Sequence, residues 1–427
     1  MMKTVIALIF VTILFPASVF GIPESYSLNI IAHPSVSINS QGNYLTTLNN
    51  GVANKPVVKR WIDDADVHTW NNTGDWDLRG VELNDNNQVA ARRIINNFGK
   101  LDTTYRLNPN PSGVNGGTWV QYQSSQTDSE PFGMNNLGQP VGARRQFTSS
   151  TPEPYVDNTG IPNVFYPCCN SSLVGGRGSS INDSGVVVGE QDVNYQGNNL
   201  SHAFVYDPLL PIISINEEAG YLNGSATAND INNNGLVVGE ITAFGLISFS
   251  NRDPYLFDTQ TNTLTILPSL PGGNPSLRPW TNEINDSGIV VGVWVDSNSL
   301  ANGVVWESGN IFELTPLVPE LDPGDRIDNA IDITNNGEIL VRFFDASLGN
   351  QRYAVLVPES NSCASIFPLG DLNLDCEVNL GDSIIFNRYL TGQESLTTQQ
   401  LDNADLDQDS LVNFGDLILL QRQIAGL

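Results

Sequence analysis

Positive charge is scarce in this sequence: 427 residues include 19 Lys and Arg against 46 Asp and Glu, a formal charge of −27. Phosphate-backbone binding needs clustered Lys and Arg, so the imbalance argues against nucleic acid as a partner. It argues equally against docking on an anionic membrane face. Histidine is rarer still, with three residues, His33, His68 and His202, which would have to converge to hold a metal. The four cysteines, Cys168, Cys169, Cys363 and Cys376, form no C-x-x-C pair, so a thiolate zinc site has no support. Neither G-x-S-x-G nor a Gly-rich G-K-[ST] phosphate loop occurs. Charged residues make up only 15% of the chain and hydrophobic ones 40%, a globular composition rather than a disordered one.

Long apolar runs are also missing, apart from one at the start. Met1, Met2 and Lys3 form a short basic region, 4–15 is apolar, and 16–21 (PASVFG) offers small residues for cleavage. The run is shorter than the ~20 residues that span a bilayer. It reads as an export signal over 1–21 with cleavage near Gly21, which predicts a secreted chain without membrane insertion. An even cysteine count in an exported chain favours disulfides.

What is abundant is turn chemistry, in a repeat. Three segments are nearly identical: 181–189 (INDSGVVVG), 231–239 (INNNGLVVG) and 284–292 (INDSGIVVG). Weaker copies begin at Ile38, Leu83, Met134 and Ile333, so seven units recur every 45–53 residues. In each, an aliphatic residue ends one strand, Asn-Asp/Asn-Ser/Asn-Gly turns the chain, and a β-branched run begins the next strand. Gly42, Gly138, Gly185, Gly235, Gly288 and Gly337 stand where the turn needs positive φ, and Asn87 takes that place in the second copy. Third strands follow at 202–206, 255–257, 304–306 and 353–357, and fourth strands at 263–267 and 311–314. Four strands per unit and seven units predict an all-β, seven-bladed propeller over 22–360. The last unit has three strands of its own, so 26–31 (YSLNII) is expected to complete it and close the ring. The hairpin followed by Ser201-His202-Ala203-Phe204 resembles the HAF repeats of bacterial extracellular proteins over roughly 30–358, which implies a secreted repeat protein.

The most specific chemistry lies in 361–427. Segment 371–382 (DLNLDCEVNLGD) places Asp371, Asn373, Asp375, Asn379 and Asp382 at positions 1, 3, 5, 9 and 12 of a twelve-residue loop, with the Glu377 carbonyl at position 7. Segment 405–416 (DLDQDSLVNFGD) repeats this with Asp405, Asp407, Asp409, Asn413 and Asp416, and the Leu411 carbonyl at position 7. Calcium takes 6–8 hard oxygen ligands, and this alternation turns successive oxygens toward one ion. Helices are expected at 383–390 and 417–424, with Val378 and Val412 pairing as a short strand beneath the ions.

Two such loop–helix units resemble a type I dockerin over about 368–427, which implies two Ca²⁺ ions and a cohesin-like protein or cell-surface component as partner. Departures are visible. Cys376 and Ser410 stand where Gly is expected at position 6, and positions 10 and 11 are Leu380-Gly381 and Phe414-Gly415 rather than Ser/Thr pairs. A disulfide from Cys363 to Cys376 would close a loop of about 13 residues, stabilising by roughly 3 kcal/mol in the chain-entropy account. Cys168 and Cys169 offer a vicinal bond, read as a structural staple.

No catalytic residue is assigned. Asp63, Asp64, Asp66, Asp75, Asp77, Glu190, Glu240 and Asp296 are too numerous to single out a hydrolytic pair, and Glu190 and Glu240 share one repeat position, which points to structure. Trp61, Trp70 and Trp76, interleaved with acids and amides, suit sugar stacking or calcium, or packing of the first blade. The expectation is a secreted binding protein whose propeller recognises a protein or glycan and whose tail provides calcium-dependent attachment. The alternative is an extracellular polysaccharide-degrading enzyme.

Overall fold

A computed structural model describes residues 23, 25–49, 54–70, 77–94, 103–114, 116–122, 127–146, 152–156, 159–160, 175–242, 252–274, 277, 279–359, 369–370, 372, 378, 383, 385–386, 389–390, 396, 398–407 and 411–424. The chain divides into two compact units, one spanning Glu24–Pro358 and one containing Glu359–Leu427. The expected export signal, with its cleavage near Gly21, lies outside the described residues, as do Cys168, Cys169, Cys363 and Cys376.

The first unit is seven four-stranded antiparallel sheets. Strands β2–β5 (35–69) form blade 1, β6–β9 (77–122) blade 2, β10–β13 (127–160) blade 3 and β14–β17 (176–214) blade 4. Strands β18–β21 (226–266) form blade 5 and β22–β25 (280–313) blade 6. Blade 7 takes β26 (Arg326–Ile333), β27 (Ile339–Asp345) and β28 (Asn350–Pro358) from the C-terminal end, and β1 (Tyr26–Ile31) from the N-terminal end. Strand β1 pairs with β28 from Tyr26↔Pro358 to Ile31↔Tyr353, so the ring closes as expected and the outer edge of β28 is covered.

Each repeat turn is a type I turn followed by a residue at positive φ. In blade 4, Gly185 N–H donates to the Asn182 carbonyl (2.9 Å), Asn182 N–H donates to Val186 (3.1 Å), and φ of Gly185 is +82°. Asn87 does the same work at +56°.

The V-V runs are apolar on both faces because each blade is packed on both faces. Val187 and Val188, Val237 and Val238, and Val290 and Val291 are all buried. The core therefore lies between blades. Leu45 and Val58 of blade 1 pack with Leu78 and Val89 of blade 2, and Val188 and Val205 of blade 4 pack with Val237 and Phe257 of blade 5. A buried Val or Leu contributes roughly 1.5–3 kcal/mol.

Every innermost strand carries a β-bulge one residue before its turn-proximal pair, with extra residues at Val36, Val81, Phe132, Ser179, Asn229, Asn282 and Ile331. The last Gly of the repeat crosses the inner strand beside that bulge. A Cβ at Gly142, Gly189, Gly239 or Gly292 would collide with the carbonyl oxygen of Glu130, Arg177, Thr227 or Trp280 respectively.

In the second unit, Leu372, Phe386, Ala404, Leu417 and Leu420 form a buried core. Helices are α2 (Thr398–Ala404), which sequence periodicity missed, and α3 (Phe414–Ile424); Ser383, Ile385, Phe386, Tyr389 and Leu390 are also helical. A four-residue helix, α1 (Ile215–Glu218), ends blade 4. Val378 and Val412 pack on the tail core and are not in strands, which corrects the expected short sheet.

Candidate functional site

The second tail loop brings its carboxylates together. Asp405, Asp407 and Asp416 each present an oxygen within 4.8 Å of the others. Asp416 sits in the first turn of α3 and is fully buried. Its Oδ1 accepts from Leu406 N–H (2.9 Å) and Asp407 N–H (3.2 Å), and its Oδ2 from Asn413 N–H (3.0 Å), so one carboxylate ties both ends of the loop. Asn413 caps the helix, its Oδ1 accepting from Gly415 N–H (2.7 Å) while its Nδ2 donates to the Leu411 carbonyl (3.0 Å). Three carboxylates gathered this closely repel one another unless a cation lies between them. Hard oxygen donors with no sulfur or imidazole among them fit calcium.

Asp409, and the whole first set of Asp371, Asn373, Asp375, Glu377, Asn379 and Asp382, lie outside the described residues. The two halves of the tail are nonetheless joined. Gly370 N–H donates to the Asn403 carbonyl (2.8 Å), Gln400 Nε2 to the Leu372 carbonyl (2.7 Å), and Gln423 Nε2 to the Leu369 carbonyl (3.2 Å). Leu411, Phe414 and Ile418 are exposed.

The propeller axis holds a cavity of about 480 Å³ opening at the repeat turns. Two interblade hydrogen-bond series ring its mouth. Asn39 Nδ2 donates to the Asn84 carbonyl (3.0 Å), Asn84 to Asn135 (3.0 Å), Asn135 to Asn182 (3.0 Å), Asn182 to Asn232 (3.1 Å), Asn232 to Asn285 (2.9 Å) and Asn285 to Thr334 (3.2 Å). Outside it, Asp85, Asn136, Asp183, Asn233, Asp286 and Asn335 each accept, through Oδ1, the next-residue amide of the preceding blade at 2.8–2.9 Å. The repeat Asn thus caps its own turn and reaches the neighbouring blade. Neither series passes through a side chain from blade 7 to blade 1, because Thr334 lacks an amide and Ser40 a carboxyl group.

Below the mouth, the residues before the repeat aliphatic are Ser37, Glu82, Gly133, Ser180, Asp230, Glu283 and Asp332, and those of blades 2–6 line the cavity. Ser37 Oγ donates to Glu82 Oε1 (2.7 Å) and Ser180 Oγ to Asp230 Oδ1 (2.6 Å). Ile284 N–H donates to Asp230 Oδ2 (2.9 Å) and Ile38 N–H to Asp332 Oδ2 (2.8 Å), the latter bridging blades 7 and 1. Burial, with Asp332 nearby, pushes the Glu82 carboxyl up to about 8. Burial raises Asp332 to about 6 against the opposing hydrogen bonds from Ile38 and Ser37. Glu283 is held well above the carboxylate range by burial and by Asp230 beside it. None of these four acids was singled out from the sequence. Reading the seven units as aligned columns would expose them, since they occupy one repeat position.

The acids that were weighed sit elsewhere. Asp63 pairs with Arg60 (2.6 Å) and Asp64 with Lys59 (3.1 Å) and the Tyr44 hydroxyl. Glu240 is buried and bridges blades 5 and 6, accepting from Thr227 Oγ1 (2.9 Å), Asn229 Nδ2 (3.0 Å) and Thr281 N–H (2.8 Å). Glu190 faces Arg177 (3.1 Å). Asp75 and Trp76 lie outside the described residues. Trp70 is fully buried with Nε1 donating to the Asn108 carbonyl (3.0 Å), and Trp61 packs between blades 7 and 1, so packing claims both. His202 is fully buried, Nε2–H donating to the Leu222 carbonyl (3.2 Å), and burial lowers it to about 4. The three histidines do not converge on one metal position: His33 and His68 belong to the region of blade 1, His202 to blade 4.

Among the described residues, no helix is long and apolar enough to cross a membrane. No curated protein matches the sequence significantly. Similar solved structures include oligogalacturonate lyase from Vibrio parahaemolyticus, at 13% identity, TM-score 0.47, covering 79% of this chain and 93% of that one. The β-propeller domain of the Trilobed protease from Pyrococcus furiosus is similar at 12% identity, TM-score 0.43, with 67% and 84% covered. The Aleuria aurantia lectin is similar at 9% identity, TM-score 0.34, with 69% and 99% covered. The blade count rests on the strand order above. Residues 369–425 match the dockerin type I domain family, whose members bind calcium and dock on cohesins, so a dockerin type I domain follows the seven-bladed propeller in this chain.

Proposed function

We propose that this is a secreted binding protein, in which the propeller recognises a protein or glycan and the dockerin domain attaches it to a cohesin-like partner through calcium-ordered loops. The observation that carries the reading is the convergence of Asp405, Asp407 and Asp416 within 4.8 Å inside the dockerin match. The second ion belongs to the first loop, held by Asp371, Asn373, Asp375, Glu377, Asn379 and Asp382; Asp409, Leu411 and Asn413 complete the set around the other ion. Dockerin-bearing proteins are typically extracellular, which agrees with the export signal read at 1–21. At loop position 10, Phe414 is exposed together with Ile418 one turn on, an apolar pair that favours a cohesin with an apolar contact patch.

Calcium titration followed by melting of the full chain tests this. A stoichiometry of two is expected, with about 2.7 kcal/mol of added tail stability per ion at a hundredfold excess over Kd. Asp405→Ala and Asp416→Ala should each remove one ion and its stabilisation, and Phe414→Ser should weaken cohesin capture without altering calcium binding. Tail melting that EDTA leaves unchanged refutes the assignment.

A second reading, hydrolysis of glycosidic bonds, rests on the buried axial acids. Glu82, accepting from Ser37 Oγ, and Asp332, accepting from Ile38 N–H, are pushed up to about 8 and about 6 and would supply a protonated acid and an ionised partner at neutral pH. Release of reducing sugar from a polysaccharide panel, abolished in Glu82→Gln, would establish it; no release favours the binding protein.

A further inference from the structure

A second cavity, of about 270 Å³, lies across blades 2–4 at the end of the inner strands away from the repeat turns. Its volume is near the lower end of small-molecule sites, roughly 300 Å³. Four of the chain's 19 Lys and Arg line it: Arg92, Arg144, Arg145 and Arg177. They face Asp128, Glu130, Glu190 and Asp192, so the lining is balanced in charge within a protein of net charge −27.

Three of these arginines, Arg144, Arg145 and Arg177, are incompletely used among the described residues. Arg144 meets Glu153 through Nε (3.2 Å) and Arg177 meets Glu190 through Nε (3.1 Å), which leaves their terminal amino groups without a protein partner among the described residues. Arg145 is exposed and has no such partner; Asp128 lies across the strand pair from it. Phe132, the extra residue of the bulge in β10, lies half-buried on the lining, with the Arg177 guanidinium 5.1 Å from its ring centre.

We propose that this groove binds a uronic-acid saccharide. A guanidinium fork matches a planar carboxylate bidentately. The carboxylates of Asp128 and Asp192 have acceptor capacity for ring hydroxyls, Asp192 taking only a long bond from Ser201 Oγ (3.4 Å). The Phe132 ring offers an apolar surface to the C–H face of a pyranose. A simple anion would engage the guanidinium groups alone; a sugar acid uses both kinds of group. The inference deepens the reading of the propeller as a recognition module.

Calorimetric titration of the full chain with a β-1,4-linked glucuronate tetramer, its uncharged glucose tetramer and sodium sulfate tests it. The uronate is expected to bind at least about tenfold more tightly than the neutral parent, and Arg145→Ala and Arg177→Ala to weaken it about tenfold or more each. Arg145 is exposed and unpartnered among the described residues, so its variant keeps the fold, and far-ultraviolet circular dichroism checks both. Equal affinity for the neutral tetramer, no affinity for the uronate, unchanged affinity in both variants, or displacement of the uronate by equimolar sulfate overturns the proposal. A protein or neutral glycan that binds the propeller while the uronate tetramer does not would leave the recognition reading standing and refute only this groove.

Discussion

Replacing Asn182 by Ala tests whether the repeat Asn holds neighbouring blades together as well as its own turn. Asn182 is 6% exposed, so water cannot replace what the substitution removes. Its Oδ1 accepts from Ser184 N–H (3.1 Å) and Val186 N–H (3.0 Å), and its Nδ2 donates to the Asn232 carbonyl (3.1 Å). Three hydrogen bonds at about 1 kcal/mol each place the loss at about 3 kcal/mol. Asn182→Asp separates the two roles. It keeps the acceptors but loses the donor and sets a carboxylate against a buried carbonyl, costing about 1–3 kcal/mol. Equilibrium urea unfolding monitored by tryptophan fluorescence measures both. A cost under about 1 kcal/mol for the alanine variant, or wild-type stability for the aspartate variant, refutes the interblade role.

Thr334→Asn should add the amide missing from the ring, donating to the Asn39 carbonyl and raising stability by up to about 1 kcal/mol in the same assay; no gain means that blades 7 and 1 are held too far apart. Gly239→Ala should destabilise by about 2 kcal/mol or more, since its Cβ meets the Thr227 carbonyl; a neutral effect in thermal melting would disprove the close crossing. Glu82 carries its proton up to about pH 8 in the fold and loses it near pH 4.5 when unfolded, so stability should fall as pH rises through that interval, and Glu82→Gln should flatten the fall. His202 has the opposite sign: its folded value of about 4 lies below its unfolded value near 6.5, so stability should drop by about 3 kcal/mol as pH falls between them. Urea midpoints across pH 4–9 check both.

Much of the fold was legible because propeller blades repeat. The turn Gly at positive φ, the V-V runs and the three-strand last unit each have a local cause, and all are present as expected. The convergence of Asp405, Asp407 and Asp416 follows likewise from local spacing, because alternate positions of one short loop turn to the same side. The tail helix α2 was missed because TQQLDNA shows no clear apolar stripe, its Ala404 being buried by the tail core rather than by an evident pattern.

The sequence alone determined the number of blades, the closing strand, the turn chemistry and the twelve-residue spacing of the loop oxygens, because these depend on residues close together or on a regular period. Tertiary structure decided what the residues before each repeat aliphatic face, which carbonyl each repeat Asn amide reaches, and which arginines share one groove. Asn182 and Asn232 are 50 residues apart, as are Ser180 and Asp230. Only the packing of blade 4 against blade 5 places them within 3.1 Å, and only burial in the assembled propeller holds the protons of Glu82 and Glu283.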